Sequence, residues 1–364
     1  MLFCCNSCGT VYKSEDVLHG FRCRVCGAPL EICNFIGNWH PRGFGLSRYQ
    51  SMLPLKLVKS LGEGSTPIVS AELYGVKVYF KLEYLNPSGS FKDRGSAVSL
   101  SHAFSVKALC SIEDSSGNAG FSVALYSRVL GIEPYIVVPS SIAYGKRLAI
   151  EVVGGNIVEV SSREEASDVA KKISLEKNCY YIDHLSSPLY IEGYKTISYE
   201  LFEEIGEVDA IISPVGSGGL FIGIYRGFSK LYEMGLIKKK PRMIAVQGVD
   251  VAPVYERLYG FKYLDGTSSL ADGIRIASPP RIDEVVKIII ESKGTVVLVN
   301  DSEIISSIKE LIDMGFIVEP TSATAYAALK KLIGKLMEMG TETIVIPLTG
   351  AGIKMLQQLK QLLR

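Results

Sequence analysis

Lys92 stands inside the string Pro87-Ser88-Gly89-Ser90-Phe91-Lys92-Asp93-Arg94-Gly95, after small turn-forming residues and before a helix-compatible run from Ser96 to Phe104. An amine fixed there can form a Schiff base with an aldehyde, because small neighbours let a flat ring lie close to the backbone. Taken alone, such a lysine is more commonly a solvated side chain beside Asp93 and Arg94. Three further stations follow in order. They are Ser115-Ser116-Gly117-Asn118-Ala119-Gly120, then Pro214-Val215-Gly216-Ser217-Gly218-Gly219, then Pro347-Leu348-Thr349-Gly350-Ala351-Gly352. Gly216-Ser217-Gly218-Gly219 falls between an apolar run and the helical run Leu220 to Phe228. A glycine-rich turn at a helix start exposes backbone N–H groups, and the helix dipole favours an anion there. Tight strand-to-helix turns use glycine in any case, so the order of the stations says more than one turn. Asn118 can donate an amide N–H, and Ser115, Ser116 and the N–H groups around Gly117 can hold a carboxylate. Asn and Ser also cap helices, and the two roles are compatible. Thr349 offers a neutral hydroxyl, which cannot supply negative charge; its plainer role is to satisfy a strand end.

A second constellation lies at the amino terminus. Six of the eight cysteines precede residue 34. Cys5 and Cys8 form one knuckle, Cys23 and Cys26 another, each followed by a glycine that lets the chain turn around a metal. Four thiolates at this spacing suit tetrahedral zinc, and with every position filled by thiolate the role is structural. The competing reading is a set of disulfides, which a reducing compartment disfavours. Cys4 is an alternative to Cys5, while Cys33, Cys110 and Cys179 read as ordinary small buried residues.

The four stations in this order resemble the pyridoxal-phosphate (PLP) enzymes of fold type II, which include threonine synthases, serine and threonine dehydratases and cysteine synthases. The resemblance runs from about Leu61 to the end of the chain. It is strongest to the threonine synthase family, through the string from Asn86 to Gly95, the string Glu192-Gly193-Tyr194-Lys195-Thr196, the string Val318-Glu319-Pro320, and the amino-terminal cysteines. The resemblance implies that Lys92 carries PLP and later moves protons at the substrate. It implies that Gly216, Ser217, Gly218 and Gly219 hold the cofactor phosphate, that Asn118 faces the ring hydroxyl and that Thr349 faces the pyridine nitrogen. Ser115, Ser116 and Gly117 then bind the substrate carboxylate. A ring nitrogen facing a neutral hydroxyl is a weaker electron sink, which in this family goes with elimination or replacement rather than transamination.

Two positions depart from the family pattern. An arginine expected two residues before the Glu192 string is Tyr190, and an asparagine expected to close the glycine loop is Leu220. Losing an arginine removes both a full charge and a bidentate fork for phosphate. Lys146, Arg147 and Lys195 are possible substitutes for the substrate's phosphate. Three activities stay open. One is threonine synthase, converting O-phosphohomoserine and water to threonine and phosphate. The others are a serine or threonine dehydratase and a β-replacement enzyme acting on O-phosphoserine. A catalytically silent relative with the ribbon as a binding module is the non-enzymatic alternative; Lys92, Asn118 and the glycine loop argue against it.

The elements that must position these residues are legible as a pattern. Apolar β-branched runs at 135–138, 157–160, 210–212, 243–246, 296–299 and 343–346 alternate with helical stretches such as 164–177, 196–205 and 302–314. Two short strands, 67–70 and 76–82, precede them. Continuous apolar strands alternating with helices imply an α/β fold with mainly parallel sheets covered on both faces. Periodicity does not divide the chain; the resemblance does. It implies a zinc ribbon over 1–36, a linker and the first part of a large PLP domain over 37–84, a small mobile domain over 85–176, and the rest of the large domain over 177–364, with PLP in the cleft. It also implies a homodimer.

The chain has 364 residues, 47% hydrophobic and 21% charged, with net charge +1. That balance gives no pull towards nucleic acid or an anionic membrane. In the ribbon, Lys13, Arg22 and Arg24 roughly offset Glu15, Asp16 and Glu31, unlike a nucleic-acid surface. No apolar run reaches 18 residues, and Met1-Leu2-Phe3 leads straight into cysteines rather than a signal sequence. The expected setting is the cytoplasm and the expected partner a small amino acid.

Overall fold

A computed structural model describes residues 1–142, 144–263 and 266–363. The chain opens with three short strands, β1 Leu2–Cys4, β2 Val11–Lys13 and β3 Glu31–Ile32, joined antiparallel in the order β2-β1-β3. A hairpin follows, β4 Ile68–Leu73 and β5 Val76–Lys81. Helix and strand then alternate: α1 Lys92–Ser105, β6 Cys110–Glu113, α2 Asn118–Val129, β7 Glu133–Pro139, α3 Tyr144–Val152, β8 Asn156–Val160, α4 Arg163–Lys177 and β9 Tyr180–Tyr181. The remainder is α5 Pro188–Ile205, β10 Ala210–Pro214, α6 Gly219–Glu233, β11 Arg242–Gly248, α7 Pro253–Tyr259, α8 Ile282–Glu291, β12 Thr295–Val299, α9 Asp301–Asp313, α10 Pro320–Glu338, β13 Thr343–Pro347 and α11 Leu356–Leu362.

The chain divides into two compact units. Unit 1 comprises Met1–Ser65 and Asn86–Tyr194, and unit 2 comprises Thr66–Leu85 and Lys195–Arg364. The sheet of unit 1 runs β8-β7-β6-β9, every pairing parallel. Its core includes Ile112, Val137, Val160, Ala166, Ala170 and Tyr181. The sheet of unit 2 runs β12-β11-β10-β13-β5-β4, parallel except for the edge pair of β4 and β5. Strands such as β10 are buried along their whole length, which is why they read as unbroken apolar runs rather than alternating ones.

The expected α/β architecture is therefore the observed one, but the domain boundaries shift. The smaller parallel sheet does not end at residue 176. β9 adds to β6, and a disulfide joins Cys110 at the start of β6 to Cys179 just before β9. The segment to Tyr194 accordingly belongs to unit 1. The ribbon and linker join the same unit. Leu18 accepts a hydrogen bond from the Tyr181 N–H at 2.7 Å, and the Phe21 N–H donates to Asp183 at 3.1 Å. Residues 66–85 belong to unit 2 because β5 pairs with β13, and because the buried Lys81 ammonium meets Glu200 at 2.8 Å. Two expectations about cysteines also change. Cys4 pairs with Cys33 and is not a ligand substitute for Cys5, and Cys110 and Cys179 are bonded to each other rather than free.

Candidate active site

In unit 1, Lys92 is the first residue of α1 and Asn118 the first residue of α2. Both are half-buried. The two helix starts are fastened together one residue beyond Lys92 and one turn beyond Asn118. The Ser122 hydroxyl lies 2.6 Å from Asp93 and 2.7 Å from Ser96. Asp93 also accepts the Ser88 N–H at 2.6 Å, so one fully buried carboxylate holds the turn before the lysine and the neighbouring helix. Burial pushes the Asp93 carboxyl up to about 6 against those stabilising bonds. The backbone before Lys92 is set by Gly89, Ser90 and the Gly89 N–H bond to Asn86 at 2.7 Å.

The turn before α2 is shaped by Ser115, whose hydroxyl accepts the Gly117 N–H at 3.3 Å. Asn118 does not cap α2. The cap residue is Gly117 and makes no side-chain bond, so the capping role weighed for Asn118 falls away. The N–H groups of Ser116, Ala119 and Gly120 meet no acceptor among the described residues. A row of free donors at a helix start suits a carboxylate.

Tyr190 is fully buried in unit 1. Its hydroxyl lies 2.8 Å from Ser96, and a Cβ placed on Gly95 would come within 2.1 Å of its ring. The tyrosine thus packs against α1 at Gly95, where an added side chain would clash with its ring. Lys146 is half-buried on α3, while the neighbouring Arg147 is engaged by Glu151 at 2.9 Å and by Glu159. Lys195 is half-buried on α5 in unit 2.

In unit 2, β10 and β13 are parallel neighbours. The Gly216–Gly219 loop follows β10 and Thr349 follows β13, so both stations stand at the carboxyl edge of one sheet. That edge is where open α/β sheets bind ligands. Gly218 has φ +90°, and a Cβ there would fall 2.5 Å from Val285, so only glycine fits. The N–H groups of Gly216, Ser217, Gly218, Gly219, Leu220 and Phe221 donate to no acceptor among the described residues; Ile222 is the first to bond back, to Gly218 at 2.9 Å. These donors open the 15-residue helix α6. Free donors and a helix dipole together fit a phosphate.

Thr349 is buried, with its hydroxyl 2.9 Å from the Ser322 hydroxyl, and Ser322 also accepts the Gly350 N–H at 2.9 Å. The Val318-Glu319-Pro320 string explains this meeting. Val318 bridges Ala351, the Glu319 N–H donates to Gly350, and Pro320 starts α10, which carries Ser322 to Thr349. No carboxylate is bonded to the Thr349 hydroxyl among the described residues.

Three residues of interest lie outside the sequence expectations. Ser322 is one. The others are Glu113, at the end of β6, and His184, just after β9. Glu113 Oε1 lies 2.5 Å from His184 Nδ1 with Glu113 wholly buried. Burial pushes the Glu113 carboxyl up to about 8 and His184 down to about 3; the Lys92 charge pulls the carboxyl back and lowers the histidine further. β6 is too short and mixed to read as a strand, so Glu113 carried no sequence signal of its own. Nothing in the sequence pointed to His184.

At the amino terminus, the sulfurs of Cys5, Cys8, Cys23 and Cys26 all lie within 4.8 Å of one another, Cys5 to Cys26 at 3.4 Å and Cys8 to Cys23 at 3.5 Å. Thr10 and Tyr12 hydroxyls approach Cys8 and Cys23 at 3.1 and 3.2 Å. Four convergent thiols with hydroxyl support match a tetrahedral site.

Comparison with known proteins agrees with this geometry. The family model described as "Pyridoxal-phosphate dependent enzyme" matches residues 59–350. The chain is 31% identical to a threonine synthase of Methanocaldococcus jannaschii, over 97% of this chain and 93% of that protein. It is 30% identical to a threonine synthase of Mycobacterium tuberculosis, over 81% of this chain and 83% of that one. Among solved structures, maize serine racemase superposes with a TM-score of 0.69 at 25% identity, covering 81% of this chain and 91% of that one. With its lysine, its donor-rich loop and its hydroxyl at the second strand end all within the matched span, the chain belongs to the family of pyridoxal-phosphate dependent enzymes.

Proposed function

We propose that the protein is a threonine synthase: a PLP-dependent lyase that converts O-phosphohomoserine and water to threonine and phosphate. The observation that carries this reading is the set of relatives called threonine synthase that align over almost the whole chain. PLP, when bound, withdraws electrons from the substrate's α-carbon and so makes its proton removable. Lys92 and Asn118 of unit 1 would hold it, with the N–H groups of Gly216, Ser217, Gly218 and Gly219 on its phosphate and Thr349 at its ring nitrogen. The Lys92 amine, when free, would take the α-proton. The reaction needs a second proton from the β-carbon before phosphate leaves the γ-carbon, and water then adds at the β-carbon. Ser115, Ser116 and the free N–H groups near Gly117 hold the substrate carboxylate throughout. The hydroxyl pair Thr349 and Ser322 carries no charge, which disfavours a persistently protonated ring and with it transamination.

For the substrate's own phosphate, Lys146 and Lys195 are the cations proposed, while Arg147 is paired with Glu151 and Glu159. The Tyr190 hydroxyl, engaged by Ser96, is the weakest candidate. A dehydratase acting on serine or threonine is the second reading, favoured by the missing arginine at Tyr190 and by the likeness to serine racemases. Cys5, Cys8, Cys23 and Cys26 would hold a structural zinc. Among the described residues no helix is long and apolar enough to cross a membrane. A cytoplasmic homodimer is part of the same proposal.

The test supplies O-phosphohomoserine, threonine, serine and O-phosphoserine separately to PLP-loaded protein. Phosphate and threonine from the first are expected. Ammonia and oxo-acid from unphosphorylated serine or threonine, with O-phosphohomoserine untouched, would replace this reading by the dehydratase.

A further inference from the structure

Tyr190 is fully buried where the family pattern expects an arginine, and its two ends lead by different routes to the segment of unit 1 that carries Lys92. The ring route is aromatic. Tyr190 meets Tyr194 edge-on, ring centres 5.8 Å apart, and Tyr194 meets Phe91 at 5.0 Å. The Lys92 ammonium lies over the Phe91 ring, 4.9 Å from its centre, a distance at which a cation is drawn to a ring face. The hydroxyl route is a row of four polar side chains shut off from water. Tyr190 Oη is 2.8 Å from Ser96 Oγ, Ser96 Oγ is 2.7 Å from Ser122 Oγ, and Ser122 Oγ is 2.6 Å from Asp93 Oδ1. Asp93 follows Lys92 in the chain, and its Oδ2 accepts the Ser88 N–H at 2.6 Å. Ser122 has one hydrogen and two acceptors within reach, Asp93 and Ser96, so the two compete for it. Burial keeps the Tyr190 phenol protonated, and its hydrogen can go to Ser96. Ser96, once supplied by Tyr190, leaves the Ser122 hydrogen to the carboxylate.

We propose that Tyr190 is a positioning residue for Lys92 and not a ligand of the substrate's phosphate. Its ring, through Tyr194, backs the Phe91 ring over which the ammonium lies. Its hydroxyl, by supplying Ser96, directs the Ser122 hydrogen to Asp93. Asp93 held in this way keeps the Ser88 N–H, and with it the turn into α1, in place. The same bond ties α1 to α2, the helix that begins at Asn118. Alignment of this kind matters because a reacting group displaced by about 1 Å loses about 100-fold in rate. The position that by resemblance would grip phosphate is given over to aligning the amine. The catalytic meaning rests on the reading of Lys92 as the cofactor lysine; the competition for the Ser122 hydrogen does not.

The test compares Tyr190→Phe, which keeps the ring and loses the hydroxyl, with the double variant Tyr190→Phe, Ser96→Ala, which also removes the competing acceptor. In the cofactor-free protein, hydrogen exchange at the Ser88 amide reports the grip of Asp93. Protection is expected to fall about threefold or more in Tyr190→Phe and to return to within about twofold of wild type in the double variant. In the PLP-loaded protein acting on O-phosphohomoserine, kcat should fall about tenfold in Tyr190→Phe and recover in the double variant, with KM held within about twofold. A phosphate ligand would behave in the opposite way, raising KM while sparing kcat and showing no rescue. Unchanged Ser88 protection in Tyr190→Phe, or a double variant worse than the single, overturns the proposal. If the double variant does not fold, Ser96→Ala alone decides: wild-type Ser88 protection supports the competition, and lost protection overturns it. Phe91→Leu tests the ring route, where kcat should again fall with KM held; a wild-type kcat overturns that route. Ser88 protection that falls and recovers, in a protein whose wild type leaves O-phosphohomoserine untouched, upholds the positioning row and contradicts the threonine synthase reading instead.

Discussion

Lys92 and Asn118 were readable because their motifs are contiguous: small residues before the lysine, serine and glycine around the asparagine. Ser322 and His184 were not, because each matters through a partner brought from far along the chain, Thr349 and Glu113 respectively. Tyr190 illustrates the limit from the other side. Read by position it replaces a phosphate-binding arginine, yet its surroundings are those of a packing residue on Gly95. The Glu113–His184 pair makes a stability prediction. The ordinary Glu and His values are 4.5 and 6.5, and burial moves them to about 8 and about 3. Between pH 4.5 and 6.5 the folded protein keeps a Glu113 proton that the unfolded chain has lost, while lacking a His184 proton that the unfolded chain holds, so the two oppose. Between 6.5 and 8 only Glu113 differs. The folded state then binds more protons, and stability falls as pH rises, by about 2 kcal/mol over that window. Denaturant unfolding of the cofactor-free protein should show this fall as a difference in slope from Glu113→Gln. An identical slope in both proteins would contradict the raised carboxyl.

At the scale of elements, the strands that are apolar throughout were visible, and those that are not were missed. β6 alternates Cys110 and Ile112 with Ser111 and Glu113, and β9 has two residues only, so neither stood out. α5 begins at Pro188, eight residues before the expected start at Thr196, because Pro and Gly193 hide a helix whose first turn tolerates one and whose packing on Arg94 demands the other. The four-stranded sheet is closed covalently by Cys110 and Cys179, 69 residues apart, a loop length worth about 4 kcal/mol in the chain-entropy account. The most demanding local geometry is the turn into α6. Gly218→Ala adds left-handed strain of about 1–2 kcal/mol and a clash with Val285. PLP affinity, measured by equilibrium dialysis, should fall about tenfold or more. Unchanged affinity would mean that the α6 turn does not bind the phosphate.

For the whole molecule, alternation of strand and helix disclosed the α/β class, but periodicity carries no information on where one compact unit ends. Long-range contacts decide that: β9 on β6, the ribbon on residues 181–183, Lys81 on Glu200. The ribbon therefore belongs to the unit that carries Lys92. If Cys5, Cys8, Cys23 and Cys26 hold a structural zinc, a chelator should lower the stability of unit 1, seen as loss of hydrogen-exchange protection in β6 and β9 before β10 and β13. Equal protection with and without chelator would argue against a structural metal at the four cysteines.

The account turns on a covalent bond at one nitrogen. Borohydride reduction of the purified protein after incubation with PLP, followed by peptide mass spectrometry, tests it most directly. A single pyridoxyl adduct on Lys92, absent from a folded Lys92→Ala variant, is the predicted result. A protein that stays colourless with PLP, or an adduct distributed over surface lysines with Lys92 unmodified, would contradict it.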